Sequence, residues 1–499
     1  MNDFDVIIIG SGLSGLLCGF ILSKEGKNVC ILEKNHHTGG LLRSFQRHGV
    51  EFDTGVHYIG ALDEGQVLNR YFRYFAFNEQ VNFQKLDENG FDVIGFDDAE
   101  YPLAMGFDNF KERLLISFPD GKIALQKYVD TLQAISKSFP LYNLEVPKDQ
   151  KEASYTKRSA YEFFNSFSTA NNRKINRHTL GDVLAGNNFL YSGNPGKTPL
   201  HLAALINHSF ISSAWRPVGG SGKMADHLDD QIRLSGGSIL TGFEVSEIGV
   251  RKNMFEISTK SDGQFTSKYL ISSIHPAKTV AMTDPSAFRS AYSGRVMKLT
   301  NTSSCFSLFI ALKDKTFPQM NHNYYFHSGN NVWTGNPETK WPGSYMLYTP
   351  TSIENEIYAK SMVILTVMNY NEVSEWESTS IGHRGQDYSD FKTQKTELLL
   401  DLVEKKFRGL RSAIKSIESS TPLTWRDHAN TPDGSMYGIQ KDFNDPIGTT
   451  VLPRTKIPNF FFTGQSTNIH GVLGVTIGSV ITCGEMIGLD HLLKKIRNA

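Results

Sequence analysis

Apolar residues along this chain fall into two kinds of pattern that alternate from one end to the other. Residues 5–9, Asp-Val-Ile-Ile-Ile, form a β-branched run that stops at glycine, which reads as a buried parallel strand. Leu13, Leu16, Leu17, Phe20 and Ile21 then recur at helical spacing, and Gly26 closes that helix. A short apolar strand follows at 29–32. Strand, glycine turn, helix and strand make a βαβ unit. Residues 76–200 are less regular, rich in aromatics, and predict helices near 123–139 and 159–166. Pro217-Val-Gly-Gly-Ser-Gly222 opens a helical stretch over 223–235, and strand-like residues 238–240 lie beyond Gly236-Gly237. Residues 243–260 read as a strand pair and 269–273 as a buried strand. A second variable block, 286–430, carries strand-like runs at 305–312 and 362–368. The end returns to the first pattern, with a strand at 460–463, a turn and a long apolar helix. The expected fold class is therefore α/β, a Rossmann-like domain interleaved with an α+β domain. The first would use 1–75, 215–285 and 430–499, and the second 76–214 and 286–429.

Composition narrows the class. At ~150 residues per domain, 499 residues suit two or three domains. Lys plus Arg equals Asp plus Glu at 51 each, so the basic excess of a nucleic-acid binder is missing. The four cysteines, Cys18, Cys30, Cys305 and Cys483, form no CxxC pair, and no metal site is expected. Few thiols suit a reducing compartment, and the start Met1-Asn2-Asp3-Phe4-Asp5 lacks the basic region of a secretory signal, so a cytoplasmic location is expected. The run 471–489 has one charge, Glu485, but also five glycines, and reads as a buried helix rather than a membrane span.

Chemistry enters with Gly10-Ser11-Gly12-Leu13-Ser14-Gly15, which fits GxGxxG between a strand and a helix. Gly10 permits the tight turn, Gly12 lets the backbone approach a diphosphate, and Gly15 lets helix and strand pack closely. The helix N-terminus offers free N–H groups and partial positive charge to the phosphates. Glu33 stands 23 positions after Gly10, where an acid accepts hydrogen bonds from a ribose and repels a 2′-phosphate. Lys34 lies beside it. Gly39-Gly40-Leu41-Leu42-Arg43-Ser44 follows; two glycines let the chain pass near a cofactor, and Arg43 is a forked donor for phosphate. At the other end, the strand 459–463 runs into Gly464 and Gln465, then Gly471, Val472, Leu473 and Gly474 open the last helix. Its N-terminus carries partial positive charge.

The GG-x-x-R-S turn resembles the extended dinucleotide signature of amine-oxidase and phytoene-desaturase flavoproteins, which implies FAD and that family's two-domain architecture. Glu51-Phe-Asp-Thr-Gly-Val-His-Tyr58, Pro217-Val-Gly-Gly-Ser-Gly222, Ile271-Ser-Ser-Ile-His-Pro276, Thr421-Pro-Leu-Thr424 and Gly434-Ser-Met-Tyr-Gly438 resemble segments of its carotenoid and retinoid oxidoreductase branch. That branch holds phytoene desaturases, carotenoid isomerase and retinol saturase. Gln465 replaces the commoner acid, Ile274-His275 replace smaller residues, and His470 precedes the last glycine turn. Residues 60–215 and 285–420 carry no matching motif.

The resemblance implies that FAD exchanges two electrons with an apolar polyene or other lipid, by desaturation, saturation or isomerisation. It sets the 51–58 segment near the flavin, so His57 and Tyr58 are candidate acid or base groups, with His470 as another. Expected cofactor contacts are Gly10 to Gly15, Glu33, Lys34, Gly39, Gly40, Leu41, Arg43, Val245, Gly464, Gln465, Gly471, Val472 and Leu473. His275, Asp53 and the aromatics of 71–83 read as structural. Only one dinucleotide fingerprint is present, since Pro217–Gly222 follows no convincing strand. The electron donor or acceptor is thus unidentified: quinone, oxygen, ferredoxin or transient NAD(P)H. A lipid substrate would bring peripheral contact with a membrane. The rivals are an amine oxidase on the same fold and a flavin-bearing binding protein without turnover.

Overall fold

The computed structural model describes residues 2–146, 154–168, 178–252, 254–329, 332–333, 340–351, 353 and 356–499. The first strand, β1 (Asn2–Ile9), lies in the middle of a seven-stranded sheet. β2 (Val29–Glu33) pairs parallel to it on one side and Gln264–Ser272 on the other. Ser238–Thr241 extends the sheet parallel to β2, and Phe460–Phe462 pairs parallel with Gln264–Ser272. Met254–Thr259 and Val245–Arg251 continue it antiparallel. A central parallel strand is covered on both faces, so it needs a continuous apolar run rather than alternation. Val6, Ile7 and Ile8 are accordingly buried without residue.

The helix between these strands, α1 (Leu13–Lys24), is buried nearly all round. It packs against Gly222–Leu234 and against the closing helix Gly471–Ile487. Such a helix is apolar on every side. Gly15 is dictated by this crowding, because a Cβ there would overlap the Gly10 carbonyl oxygen.

The second sheet also has seven strands, in the order Ile414–Ser420, Ser304–Leu312, Ser361–Met368, Ser344–Tyr348, Asn323–His327, Asp92–Gly95 and Glu100–Leu103. Only the pair Asn323–His327 with Asp92–Gly95 is parallel. Its side chains alternate between two cores, as a pleated strand requires. Phe309, Tyr325, Met346 and Tyr348 join the large core shared with α1, while Phe306, Tyr324, Phe326 and Leu347 pack with Leu399 and Val403 of the helix Gln386–Lys406. The two sheets draw on alternating stretches of the chain.

The helices expected near 123–139, 159–166 and 223–235 are Lys122–Ser138, Ala160–Asn165 and Gly222–Leu234. The run expected to be one helix over 471–489 breaks at Gly488 (φ +91°), and a second helix, Leu489–Asn498, follows. Among the described residues no helix is long and apolar enough to cross a membrane. Tyr71, Phe72, Phe75 and Phe77 are fully buried, so these aromatics are core. One expectation is corrected. Pro217–Gly222 does follow a strand, Ala214–Pro217, which pairs with Ile59–Gly60 and Phe83–Lys85 in a separate small sheet. Its glycine turn braces other chain segments, as described below.

Gly15→Val should destabilise the fold by about 3 kcal/mol, because overpacking forces backbone apart in the main core. A urea titration of the cofactor-free protein measures this, with a fall in midpoint expected.

Candidate cofactor site

The turn after β1 is built by close backbone approach. Gly10 has φ +94°, and a Cβ on it would run into Ser273 and Ile274. Gly39 N–H donates to the Ser11 carbonyl at 2.9 Å, and Gly12 and Gly39 bridge as in a parallel sheet. Gly40 lies so close that its Cβ would stand 3.0 Å from Gly12 Cα. Gly12 differs from its neighbours: a Cβ on it would meet nothing within 4 Å. It faces a cavity of about 520 Å³.

Of the expected contacts, Gly10, Gly12, Leu13, Ser14, Glu33, Lys34, Gly40, Leu41, Val245, Gln465, Gly471 and Val472 line this cavity. Residues from both ends of the chain and from its middle therefore meet at one place. Ser11, Gly15, Gly39, Arg43, Gly464 and Leu473 are not in its wall. Ser11, Gly15 and Gly39 instead shape the turn. Gly464 (φ +99°) packs against Ser14 and the Ser273 carbonyl, which brings the last strand up to α1. Leu473 is half-buried in the first turn of the closing helix. Arg43 donates from Nη2 to the His37 carbonyl at 2.9 Å, while its Nε is buried with no partner among the described residues.

Glu33 is buried at the end of β2, and its carboxylate joins two segments. Oε2 accepts from Ser11 N at 2.9 Å and Ser11 Oγ at 2.7 Å; Oε1 accepts from Asn35 N and Nδ2, both at 2.8 Å. Two of these donors are backbone and fixed. The other two are side chains, which can turn away to admit ribose hydroxyls.

The cavity wall carries two lysines, Lys34 and Lys278, and two carboxylates, Glu33 and Glu244. α1 starts at Gly12 with no side-chain cap and no acid in its first turn, and the same holds for the closing helix, whose N-cap is His470. Both helix ends direct free N–H groups and partial positive charge towards the cavity. Lys34 donates to the Asp427 carbonyl at 3.0 Å, and burial lowers its pKa. Lys278, bonded to Asn430, is pushed down to about 8 by burial and the nearby Lys34. These features fit a dinucleotide: open space beside Gly12, two uncapped helix ends, an orphaned Arg43 donor and an acid at ribose distance along the fold.

The candidate acid–base residues lie outside the cavity wall. His57 is half-buried; its Nδ1 is 2.7 Å from the Tyr348 hydroxyl, and burial together with the Arg216 guanidinium pushes its pKa down to about 3. Tyr58 is buried, 3.0 Å from Asp92 Oδ2 and 2.8 Å from the Tyr325 hydroxyl. Burial and the Asp92 carboxyl raise its pKa well above the usual value. His470 stacks on Tyr437 at 4.1 Å, its Nε2 lies 3.0 Å from the Leu190 carbonyl, and burial pushes it down to about 4.

His275 has a structural place: its Nδ1 accepts from Ala277 N and caps the helix Pro276–Met282. Asp53 braces a junction. Its Oδ1 accepts from Ser221 N at 2.6 Å, Ser221 Oγ at 2.9 Å and Ser44 Oγ at 3.2 Å, and burial raises its pKa to about 6. The Pro217–Gly222 turn is thereby clamped to the strand pair Ser44–Arg47 and Val50–Asp53. Sequence reasoning did not place Phe243, Lys278, Asn430 or Tyr437, which also line the cavity. Only Tyr437 had a signal, within Gly434-Ser-Met-Tyr-Gly438.

A βαβ unit whose phosphate turn, ribose acid and closing helix converge on one cavity defines a dinucleotide-binding protein with a Rossmann-like fold. The chain belongs to the flavin-containing amine oxidoreductase family, whose description matches residues 13–479. It is 24% identical over 535 residues to the all-trans-retinol 13,14-reductase of Danio rerio, covering 97% of this chain and 86% of that protein. It is 23% identical to the chloroplastic prolycopene isomerase 1 of an Oncidium hybrid cultivar, covering 99% and 85%. Cyclohexylamine oxidase from Brevibacterium oxydans IH-35A shares the fold, with a TM-score of 0.61 at 14% identity over 99% of both chains.

Gly12→Val should separate binding from folding. It has room for its side chain, so its unfolding midpoint should match that of the cofactor-free wild type, while the purified protein loses its flavin absorbance. A yellow, flavin-loaded variant would remove the cavity as the diphosphate site.

Proposed function

We propose that this chain is an FAD-dependent oxidoreductase that desaturates, saturates or isomerises carbon–carbon double bonds of an isoprenoid, carotenoid or retinoid-like lipid. The observation that carries this reading is its end-to-end likeness to a retinol reductase and a prolycopene isomerase, two proteins named for polyene chemistry. Bound FAD supplies two-electron exchange with the substrate. Gly10, Gly12 and Gly40 would admit the diphosphate to the N-terminus of α1. Glu33 takes the ribose. Gln465, Gly471 and Val472 bring the second helix end to the far part of the cavity. Residues 1–75, 215–285 and 430–499 would form the cofactor domain, and 76–214 with 286–429 the substrate domain.

Around the reacting centre, His57 and His470 are held neutral by burial and act as hydrogen-bonding groups. Tyr58 is the acid–base candidate, because its hydroxyl sits in a chain of titratable partners. Electrons enter or leave through a separate donor or acceptor.

The test is anaerobic stopped-flow spectroscopy of the flavin band. All-trans-retinol and prolycopene are mixed with dithionite-reduced protein, and their saturated or desaturated counterparts and simple amines with oxidised protein. A polyene-dependent change in the flavin band, or cis–trans conversion of prolycopene seen by chromatography, is expected. Bleaching with amines alone would overturn the polyene reading in favour of an amine oxidase. Silence towards every compound would make the chain a flavin-bearing binding protein.

A further inference from the structure

We propose that Asp92, Tyr58 and Tyr325 form a buried proton relay serving the reaction at the cofactor, with Asp92 as the proton store and Tyr325 as the end nearest the cavity wall. It rests on the carbon–carbon double-bond reading above, because that chemistry moves one proton with each hydride.

The geometry comes from strand pairing. Asn323 and Asp92 are register partners on neighbouring parallel strands. Asn323 and Tyr325 are two residues apart on one strand, so they share a face. Tyr325 packs into the large core on that face and is itself buried, one layer behind the cavity wall. Tyr437, in that wall, is near enough to raise the Tyr325 pKa.

The hydrogen bonds form an unbroken line. Tyr325 and Tyr58 hydroxyls are 2.8 Å apart, and either can donate to the other. Tyr58 lies 3.0 Å from Asp92 Oδ2. With Asp92 ionised, the line donates from Tyr325 to Tyr58 to Asp92. With Asp92 protonated, every donor reverses, and Tyr325 points a proton outward. Two hydroxyls and one carboxyl thus hold two stable directions that differ by one proton.

Asp92 is built to hold that proton. It is 0% exposed and makes no ion pair at contact distance. The fully buried Arg216 is kept off by an amide: Arg216 Nη2 donates to Asn323 Oδ1 at 2.7 Å, and Asn323 Nδ2 donates to Asp92 Oδ1 at 2.9 Å. The other Arg216 donors serve the carbonyls of His57, Met320 and Thr349. Asn187 approaches Asp92 Oδ2 with Nδ2 at 3.5 Å, while its own Oδ1 is buried with no partner among the described residues. Turning that amide over would offer an acceptor for a carboxyl proton. Burial raises the Asp92 pKa to about 7 against the lowering effects of Asn323, Tyr58, Asn187 and Arg216.

In the saturating direction, a reduced flavin would supply hydride to one alkene carbon, and the relay would deliver the matching proton for the other from its Tyr325 end. Tyr58 reprotonates Tyr325, Asp92 reprotonates Tyr58, and Asp92 is left as carboxylate. Water admitted as product leaves returns its proton. Desaturation runs the same line backwards.

The experiment uses the flavin-loaded full chain, Asp92→Asn and Tyr325→Phe. Infrared difference spectra between pH 5 and pH 9 should show a carboxylic acid band that disappears with a midpoint near 7 and is missing in Asp92→Asn. With all-trans-retinol as probe, reoxidation of the reduced flavin should slow as pH rises through that midpoint. In Asp92→Asn and Tyr325→Phe it should be slower on the order of 100-fold and flat with pH, with unchanged flavin spectra. Wild-type rates and pH profile in both variants, or no titrating acid band, would overturn the relay. An acid band that titrates as expected, with no reaction of retinol, would leave the proton store supported and overturn the substrate reading instead.

Discussion

Three pieces of backbone come together beside the first strand with no side chain between them, and much of the molecule is arranged around that contact. The first turn of α1 lies against the Gly10 carbonyl because Gly15 lacks a Cβ, and the Gly39–Gly40 turn lies against Gly12 because Gly40 lacks one. Glu33 holds the meeting from below by accepting from Ser11 and Asn35 on either side. A buried carboxylate with four donors is a satisfied one, so it fixes position without the cost of an unpaired charge. The same absence of side chains that allows the contact leaves Gly12 open to the cavity. One steric fact therefore serves folding at Gly15 and access at Gly12.

The chain crosses between its two sheets several times, and polar residues rather than apolar ones mark the crossings. Asp53 clamps Ser221 and Ser44, joining the Pro217–Gly222 turn to the hairpin that follows Gly40. Arg216, one residue before that turn, reaches across to the carbonyls of Met320 and Thr349 and to Asn323 in the second sheet. Apolar packing alone would tolerate a sheet sliding by a small step. Directional bonds to a buried guanidinium do not, because each unmade bond leaves a desolvated group. The position of the second sheet against the strand before Pro217 is thus set by a handful of buried polar contacts.

This explains what was legible beforehand. Gly10 to Gly15, Glu33 and the Gly464–Gly471 closure follow from local backbone rules, and spacing in the chain fixes spacing in space. The alternation of the two patterns also carried the fold, since buried parallel strands such as 5–9 are distinct from the pleated strands of the second sheet. The far wall of the cavity was not legible. Phe243, Lys278, Asn430 and Tyr437 converge only through tertiary packing. Arg43 was expected to face phosphate, yet its Nη2 bonds a neighbouring carbonyl and only Nε is spare. The strand before Pro217 was missed because four residues containing Arg and Pro lack a strand pattern. A sharper reading was available at Asp92 and Arg216: a lone charge inside an apolar strand has to be answered by a buried partner.

Burial holds His57 and His470 neutral, with pKa values near 3 and 4, so neither adds charge at neutral pH. Partial positive charge comes instead from two helix ends that the chain itself does not cap. Uncapped helix ends destabilise a fold when nothing answers them. A dinucleotide spanning the cavity would answer both, one with each of its parts. Its binding is therefore coupled to the packing of α1 against the closing helix, and it stabilises the folded chain by mass action. The cofactor acts in this reading as the missing cap of both helices, which ties the two ends of a 499-residue sequence to one ligand.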